Sequence, residues 1–559
     1  MAKCAPLLAV AFGCVGVALL AGCRTDAYLA GRSEDLAAQK WAPTSDADAG
    51  RARFLFDDLN GLSTQTLNTN AFPWKVVTTA LLLERTGRAP VPEDLAKLPA
   101  IFAEFGFLTP TDVANWPAGE PQPRFRHPMG LTTGTVRSRP LGFQLEVANL
   151  TCAACHAGVT YAADGTPRPS VWLGLPNTSI DFQAFGRSVA VSLTDAMGDP
   201  QAFLRAIGQL YPDTPRLELR TISVRVLPAL QRRLADSRAY PPGYPLGFDA
   251  GSSGLINGLS ATKRMFGVLP ADSIATDRGL VSVPDLAGLK MRSAAFWDGG
   301  YAPAGQERFE PRTADAADAR HFHELAPIMN AVTTPVMGIR PDIAVKALPR
   351  VEQIAAFLQG YTPPRYPGSV DRNRAERGAA LFALRCSRCH GAYGGTIDDV
   401  HLVSFPNRLI ATDRIGTDPL RASLVSDALV ASFASSPFAG RVSAARTGGY
   451  VAPPLSGLWA TAPYLHNGSV PTLWHLMHPQ ARPQRFLVGG HCLDMERVGV
   501  ANVVGSDGEP AYPSTCRAWA KPTLYDTRER GQSNAGHEAP FAQLSEAEKG
   551  DLLEFLKLL

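Results

Sequence analysis

The chain has 559 residues, which is too long for one ordinary domain and suits two or three. Hydrophobic residues make up 45% of it and charged residues 19%, a balance typical of a packed globular protein and not of a disordered one. The formal net charge of +3 gives no electrostatic surface for nucleic acid, so we expect no nucleic-acid partner. Nine cysteines are too few for a disulfide scaffold, and their positions carry more information than their number.

Residues 1–22 predict a signal peptide. Lys3 precedes an apolar run at residues 5–20, which is too short for a comfortable membrane span. The run ends in Leu-Ala-Gly-Cys at residues 20–23, which resembles the lipobox of bacterial lipoproteins, where the Cys thiol is acylated. The alternative is an ordinary signal peptide that contains a cysteine. Lipidation of Cys23 implies a lipid-anchored protein on the periplasmic side of a bacterial membrane, and Arg24 favours the outer membrane.

Helical patterns then follow along the chain. Residues 23–130 form an N-terminal extension with helices predicted at about 74–86 and 94–105, and its role is open. Further helices are predicted near 195–209, 223–236 and 349–360, and residues 361–368 have the composition of a linker.

Two C-x-x-C-H motifs indicate the cofactor. Their thiols are Cys152, Cys155, Cys386 and Cys389, and their histidines are His156 and His390. This spacing places two thiols where they can form thioethers to a haem, while the adjacent imidazole ligates the iron. Composition gives an expectation of about 0.003 chance matches, so two matches exclude coincidence. The alternatives are a redox cysteine pair or a zinc site, neither of which needs a His at this place. The sequence therefore predicts two covalently attached c-type haems.

The second motif has the surroundings of a cytochrome domain. An amphipathic helix is predicted at residues 374–385, and the stretch before Cys386 resembles the first helix of a class I cytochrome c. Residues 544–558 resemble the closing helix that packs across it. We therefore predict a mainly α fold with two cytochrome c-like haem domains, long loop insertions and the N-terminal extension. The predicted boundaries are 131–360 for the first haem domain and 361–559 for the second.

Three strings resemble the bacterial diheme cytochrome c peroxidase superfamily over roughly residues 140–559. They are Phe-Trp-Asp-Gly at 296–299, Thr-Ala-Pro-Tyr-Leu-His at 461–466 and Pro-Ile-Met-Asn at 327–330. The blocks at 366–367, 415–419 and 533–537 are most similar to the rubber-oxygenase branch of that superfamily.

The resemblance implies roles for individual residues. Trp297 would lie between the two haems and assist electron passage, and Phe296 would line the distal pocket of the first haem. Both could instead be ordinary core aromatics. The resemblance favours His537 as the distal ligand of the second haem, with Met477 as the second choice.

The chain also departs from the peroxidases. No His lies between His156 and His321 to act as a displaceable ligand of the first haem, and Thr333 stands where a proton-handling Glu is expected. The peroxidase calcium set is incomplete, because Ser282 stands where an Asn is expected although Thr461 and Pro463 match. Calcium therefore stays an open second cofactor.

The resemblance and the departures from it leave two possible functions. The first is a haem oxidoreductase that activates a small oxidant, peroxide or O2, at the first haem, with electrons passing through the second haem from a donor protein. The alternative is a membrane-tethered electron-transfer cytochrome without catalysis. Cys492 and Cys516 are the remaining thiols, and in an oxidising compartment we expect them to pair.

Overall fold

The structure is a computed structural model that describes residues 33–63, 71–138, 142–237, 249–268, 278–314 and 319–559. The predicted signal peptide and its lipidation site Cys23 lie outside the described residues. Within the described part, no helix combines the length and the apolar character that a membrane crossing requires.

Helix makes up 40% of the structure and strand 17%. Helices thus predominate, as the mainly α expectation requires, but strands are more frequent than that expectation implies. Among the described residues the strands form nine sheets of two or three strands each. The fold is therefore a helical framework whose long connections are tied together by small sheets.

The elements before residue 361 include the first attachment motif. The α-helices here are α1 (Glu34–Ala37), α2 (Asp46–Phe56), α3 (Trp74–Thr86), α4 (Leu98–Ala103), α5 (Ala153–His156), α6 (Phe182–Ala196), α7 (Pro200–Leu210), α8 (Arg216–Thr221), α9 (Leu227–Ser237), α10 (Gly258–Met265), α11 (Ala319–Met337), α12 (Pro341–Lys346) and α13 (Leu348–Gln359). The strands are β1 (Phe72–Pro73), β2 (Asp112–Val113), β3 (Leu131–Ser138), β4 (Phe143–Leu150), β5 (Ala157–Tyr161), β6 (Pro167–Leu173), β7 (Gly251–Ser252), β8 (Leu255–Ile256), β9 (Val281–Ser282), β10 (Tyr301–Pro303) and β11 (Arg312–Thr313).

The elements after residue 360 include the second motif. The α-helices are α14 (Arg372–Arg385), α15 (Ser387–His390), α16 (Thr412–Ile415), α17 (Leu420–Ser423), α18 (Asp427–Ala434), α19 (Leu473–Met477) and α20 (Glu546–Leu556). The strands are β12 (Ala392–Gly394), β13 (His401–Phe405), β14 (Leu409–Ala411), β15 (Val442–Ala444), β16 (Gly449–Val451), β17 (Arg485–Val488), β18 (Leu493–Asp494), β19 (Gly499–Val500), β20 (Val503–Val504), β21 (Pro510–Ala511) and β22 (Thr523–Asp526).

Several helix predictions can be compared with these bounds. The helix predicted at 74–86 is confirmed as α3. The pattern at 94–105 is divided into a 3-10 turn, Pro92–Lys97, and α4, which begins next to Pro99. The helix predicted at 195–209 begins only at Pro200, because Asp199 caps α7 through hydrogen bonds to the amides of Gln201 and Ala202. Helix boundaries thus follow capping residues more closely than hydrophobic spacing.

The N-terminal extension packs against the part of the chain that carries the first attachment motif. Helix α2 packs against α13, and Arg53 Nε donates to Gln353 Oε1 at 2.7 Å across this contact. The same apolar core includes Ala153 and Ala157, which flank the first motif histidine. The extension therefore forms part of the wall around the first attachment motif.

The predicted pairing of the first and last cytochrome helices is confirmed. Helices α14 and α20 cross at Gly378, where an added Cβ would collide with the Asp551 carbonyl. Phe382 and Phe555 pack nearby with ring centroids 5.3 Å apart. Arg377 also donates two hydrogen bonds to the Asp551 carboxylate, at 2.7 and 2.9 Å. This crossing positions the second motif, because α14 ends one residue before Cys386.

Backbone pairing joins the segments that carry the two motifs. Strand β10 pairs antiparallel with β15, and β11 pairs antiparallel with β13. The separate domains predicted at 131–360 and 361–559 therefore share two sheets.

Candidate functional site

The first attachment motif forms one tight turn between two strands. The amides of Cys155 and His156 donate to the Cys152 carbonyl at 3.3 and 3.0 Å. Neither thiol takes part in a disulfide bond. Burial raises the pKa of both Cys152 and Cys155 to about 12, so both thiols are protonated at neutral pH. The turn brings together the two thiols and the imidazole that the spacing predicts.

The second motif repeats this geometry and fixes the tautomer of its histidine. The amides of Cys389 and His390 donate to the Cys386 carbonyl at 3.0 and 2.9 Å. His390 Nδ1 donates to the Pro453 carbonyl at 2.8 Å, and since a carbonyl only accepts, Nδ1 carries the proton. Burial lowers the pKa of His390, which keeps the imidazole neutral. Its Nε2 therefore offers a lone pair to a metal.

His156 has a similar environment. Burial lowers the pKa of His156 to about 4, so this imidazole is also neutral. The Pro284 carbonyl favours a proton on it, although Nδ1 lacks a hydrogen bond of standard geometry. The Pro284 carbonyl thus faces His156 at the first motif as the Pro453 carbonyl faces His390 at the second.

These two prolines begin segments that repeat one another. Residues 284–301 and 453–470 carry five identical residues at identical spacing, a repeat that was not predicted from the sequence. The pairs are Pro284 and Pro453, Leu286 and Leu455, Gly288 and Gly457, Leu289 and Leu458, and Gly299 and Gly468. The spacing P-x-L-x-G-L is the signal that could have revealed it. Each attachment motif is therefore accompanied by an equivalent supporting segment.

Trp297 and His466 occupy equivalent places in this repeat, and both are hydrogen-bonded to the backbone of Ser282. Trp297 Nε1 donates to the Ser282 carbonyl at 3.2 Å, and the Ser282 amide donates to the His466 carbonyl at 2.8 Å. The Val451 amide donates to the Trp297 carbonyl at 2.8 Å. His466 stacks on Tyr450, with ring centroids 4.0 Å apart. Trp297 thus lies where the first segment meets the second.

Phe296 lies next to this junction in an unusual backbone conformation. Its φ is +68°, and Leu465, the equivalent residue of the second segment, has φ of +67°. Non-glycine residues seldom adopt a positive φ, and those that do are concentrated at functional sites, where surrounding contacts hold the strained backbone. The Phe296 ring packs against Tyr301, with centroids 5.4 Å apart.

One cavity of about 410 Å³ is lined by residues from before position 361, which we call its first half, and by residues from after position 360, which we call its second half. From the second motif its wall includes Cys386, Cys389 and His390. From the first half it includes Pro284 and Phe296, while the first motif itself contributes no lining residue. The cavity thus extends from the second motif to the segment that supports the first.

One face of α11 covers the first half of the cavity with apolar side chains. Its lining residues follow the spacing i, i+3, i+4 and i+7, and they are Leu325, Ile328, Met329 and Val332. Thr333 does not line the cavity, and its hydroxyl contacts Met329 O at 2.9 Å and Asn60 at 3.3 Å. These four residues are not among the site residues predicted from the sequence, although their helical spacing was a usable signal.

His537 faces His390 across the second half of the cavity. The ring centroids are 5.9 Å apart, and both residues line the cavity. Imidazole nitrogens bind metals at about 2 Å, so a metal between two such rings requires a centroid separation of roughly 6 Å. Burial, with smaller contributions from His390 and Arg482, lowers the pKa of His537 to about 3, and its Nδ1 is buried without a hydrogen-bond partner. These residues fit a haem held between two neutral imidazoles.

Met477 lies elsewhere. It is buried in the apolar core beside α20 and does not line the cavity. Its neighbours His475 and His478 are also engaged, since His475 Nδ1 is 2.8 Å from Thr472 Oγ1 and His478 Nε2 is 2.8 Å from Glu546. Of the two sequence candidates, the structure brings His537 to His390 and leaves Met477 in the core.

A buried ion pair holds the backbone next to Trp297. Arg421 Nη1 lies 2.6 Å from Asp298 Oδ2, and both side chains are buried. The Gly300 amide donates to Asp298 Oδ1 at 3.0 Å, and Thr447 Oγ1 donates to the Asp298 carbonyl at 2.6 Å. Arg421 and Thr447 come from the part of the chain after residue 360, so this pair also joins the two halves.

The remaining sequence candidates can also be placed. Ser282, Thr461 and Pro463, which entered the calcium comparison, all line the cavity. Among the described residues there is no group of three or more His, Cys, Asp or Glu side chains that could hold a metal ion. The predicted pairing of Cys492 with Cys516 is confirmed as a disulfide.

Comparisons with known proteins agree with this geometry in part. Residues 449–487 match the family described as RoxA-like, cytochrome c-like. The chain is 30% identical to the uncharacterized protein y4iM of Sinorhizobium fredii (strain NBRC 101917 / NGR234), over 50% of this chain and 64% of that protein. It is 29% identical to y4iJ of the same strain, over 36% of this chain and 42% of that protein. The chain thus spans less than two thirds of either relative, and the matched family supports c-type haem as the cofactor and a relation to RoxA-like cytochromes.

Proposed function

We propose that this protein is an exported diheme c-type cytochrome that acts as a haem oxidoreductase, activating O2 or peroxide at the first haem. The observation that carries the proposal is the contrast between the two halves of the cavity. The second half has imidazoles on opposite sides, His390 and His537. The first half has an apolar helix face and Phe296 on its wall. One haem would therefore be closed by ligands and the other left with an apolar face.

The residues around each haem then have distinct tasks. When bound, the haems supply iron for oxidant binding and for electron storage. His156 and His390 would ligate iron, and the thiols of the two motifs would hold the porphyrins. The apolar side chains of α11 would keep water from the first site and offer no group that transfers a proton, whereas Asp285, whose pKa burial raises to about 7, lines the same cavity.

Trp297 would connect the two halves electronically. Its indole is hydrogen-bonded to Ser282, whose amide is bonded to His466 of the second segment. An aromatic ring in this place shortens the gap that an electron must cross. Substituting Trp297→Leu should slow electron transfer between haems without loss of haem, and unchanged transfer would remove this role.

A second function is favoured by one observation, the thioether of Met329 on the wall of the first half. Met and His together are a common ligand pair of electron-transfer cytochromes. If Met329 capped the first iron, the protein would be an electron carrier without catalysis.

Electronic and EPR spectra of the oxidised and half-reduced protein separate the two functions. One high-spin haem that binds added cyanide supports the oxidoreductase, whereas two low-spin haems that bind no added ligand support the carrier. In the carrier, Met329→Leu should convert one haem to high spin. Turnover with peroxide and a reduced donor, against turnover with O2 and polyisoprene, then identifies the oxidant.

The proposed location is the periplasmic side of a bacterial membrane, anchored by lipid at Cys23, most consistent with the outer membrane. The C-x-x-C-H motifs support it, because covalent haem attachment takes place after export. Substituting Cys23→Ser should release the protein from the membrane fraction while haem content stays at two per chain, as measured by mass.

A further inference from the structure

Arg482 is a buried arginine that binds main-chain carbonyls on two different segments. Its side chain is 3% exposed. Nε donates to His475 O at 3.2 Å and Nη2 donates to Leu476 O at 2.9 Å, both at α19. Nη1 donates to Asn534 O at 2.5 Å and to Gly536 O at 3.0 Å, both in the loop that precedes His537. One guanidinium therefore joins α19 to this loop.

The loop needs such support because its backbone is strained. Gly536 has φ of +86° and His537 has φ of +57°, so two consecutive residues lie in the left-handed region. Gly536 adopts this conformation without strain, but His537 does not. A non-glycine residue keeps such a strained backbone only where surrounding contacts hold it there. An added Cβ at Gly536 would collide with the Gly416 backbone, and the His537 amide donates to Ile415 O at 2.8 Å.

Arg482 is held mainly by hydrogen bonds to carbonyl oxygens and less by ion pairing with a carboxylate. Among the described residues, the carboxylate within 4 Å of Arg482 is that of Glu538, at 3.8 Å, and Glu538 is half exposed. The four carbonyl contacts use the planar fork of the guanidinium, which a lysine ammonium cannot reproduce. Asn534 adds a further tie, because its Nδ2 donates to Pro483 O at 3.0 Å.

We propose that Arg482 is the positioning residue that holds the His537 imidazole opposite His390, so that both can bind the iron of the second haem. This inference rests on the proposed assignment of His537 as the distal ligand. Arg482 touches neither imidazole through a hydrogen bond in the structure and acts through the carbonyls on either side of the loop.

The test compares Arg482→Gln with two reference variants in the full-length, haem-loaded protein. Arg485→Gln is the matched control, because Arg485 lies three residues away and pairs with Glu509 on the surface at 2.5 Å. His537→Ala reports the loss of the ligand itself. The readout is the low-spin bis-imidazole EPR signal of the oxidised second haem, with haem content measured by mass.

We expect Arg482→Gln to lose at least half of the bis-imidazole signal at unchanged haem content, and added imidazole to restore it. Arg485→Gln should keep the full signal, and His537→Ala should lose it. Wild-type signal in Arg482→Gln, with signal loss in His537→Ala, would overturn the role of Arg482. An unchanged signal in His537→Ala would instead show that the ligand assignment is wrong, and the inference would be overturned with it.

Arg482→Lys keeps the test decisive if the Gln variant does not fold. Lysine retains the charge and most of the volume but cannot bridge four carbonyls. We expect imidazole to displace His537 at least ten times faster in Arg482→Lys than in Arg485→Lys. Equal displacement rates would contradict the proposal.

Discussion

The buried pair of Asp298 and Arg421 leads to a sharp prediction about stability. Substituting Asp298→Asn keeps the side-chain shape and the acceptor for the Gly300 amide, but it removes the charge opposite Arg421. The side chains are 0% and 5% exposed, so the remaining guanidinium charge would be left in a site with little water. Removing one partner of a buried pair costs about 3–5 kcal/mol, and we expect a loss of this size in the free energy of unfolding.

Urea unfolding followed by far-UV circular dichroism measures this loss. The control is Asp342→Asn, which breaks the Arg340–Asp342 pair, whose side chains are 48% exposed at Asp342 and 72% at Arg340. Exposed pairs contribute roughly 0–1 kcal/mol, so this variant should unfold almost as the wild type does. The double variant Asp298→Asn with Arg421→Met should regain part of the loss, because it no longer buries an unpaired charge. A loss in Asp298→Asn no larger than that in the control would refute the reasoning.

Three further predictions concern other buried features. Burial raises the pKa of Asp58 to about 7 from an ordinary value of 3.8, so between these pH values the folded state binds a proton that the unfolded state does not. The free energy of unfolding should therefore fall by up to about 4 kcal/mol as the pH rises across that window. Asp58→Asn should remove this part of the pH dependence in urea titrations, and an unaltered pH profile would contradict the prediction. Gly378→Ala should lower the free energy of unfolding by about 1–3 kcal/mol, because the added methyl group meets the Asp551 carbonyl at the crossing of α14 and α20. Thermal melts measure this loss, and an unchanged melting temperature would mean that the crossing accommodates the methyl group without strain. Replacing Cys492 and Cys516 by serine should cost about 3 kcal/mol, since the disulfide closes a loop across a sequence separation of 24, and equal denaturant midpoints with and without the bond would argue against it.

The attachment motifs and their helices were predictable because short-range rules determine them. The C-x-x-C-H spacing folds as one turn in both places, and the pattern at 374–385 became α14 with its bounds shifted by two residues at the start. The approach of His537 to His390 was suggested only by the resemblance, since 147 positions separate them in the printed sequence.

Other parts of the site could not be read from side-chain patterns. Arg482 binds main-chain carbonyls, and because every residue has one, its partners cannot be identified from residue types in the sequence. The role of α2 in the wall of the first site depends on a contact with α13, about three hundred residues later, which local propensity does not encode. Met477 shows the opposite error, because a residue type suited to iron was placed in the core by packing.

The contact between α2 and α13 has a consequence for the order of biogenesis. The core that surrounds Ala153 and Ala157 includes side chains from both helices, so it cannot close until residue 358 has left the ribosome. Contacts of such long range form late in folding. The turn that carries Cys152 therefore stays outside a closed core until residue 358 has been synthesised, and a porphyrin joined to it before then would meet an open polypeptide.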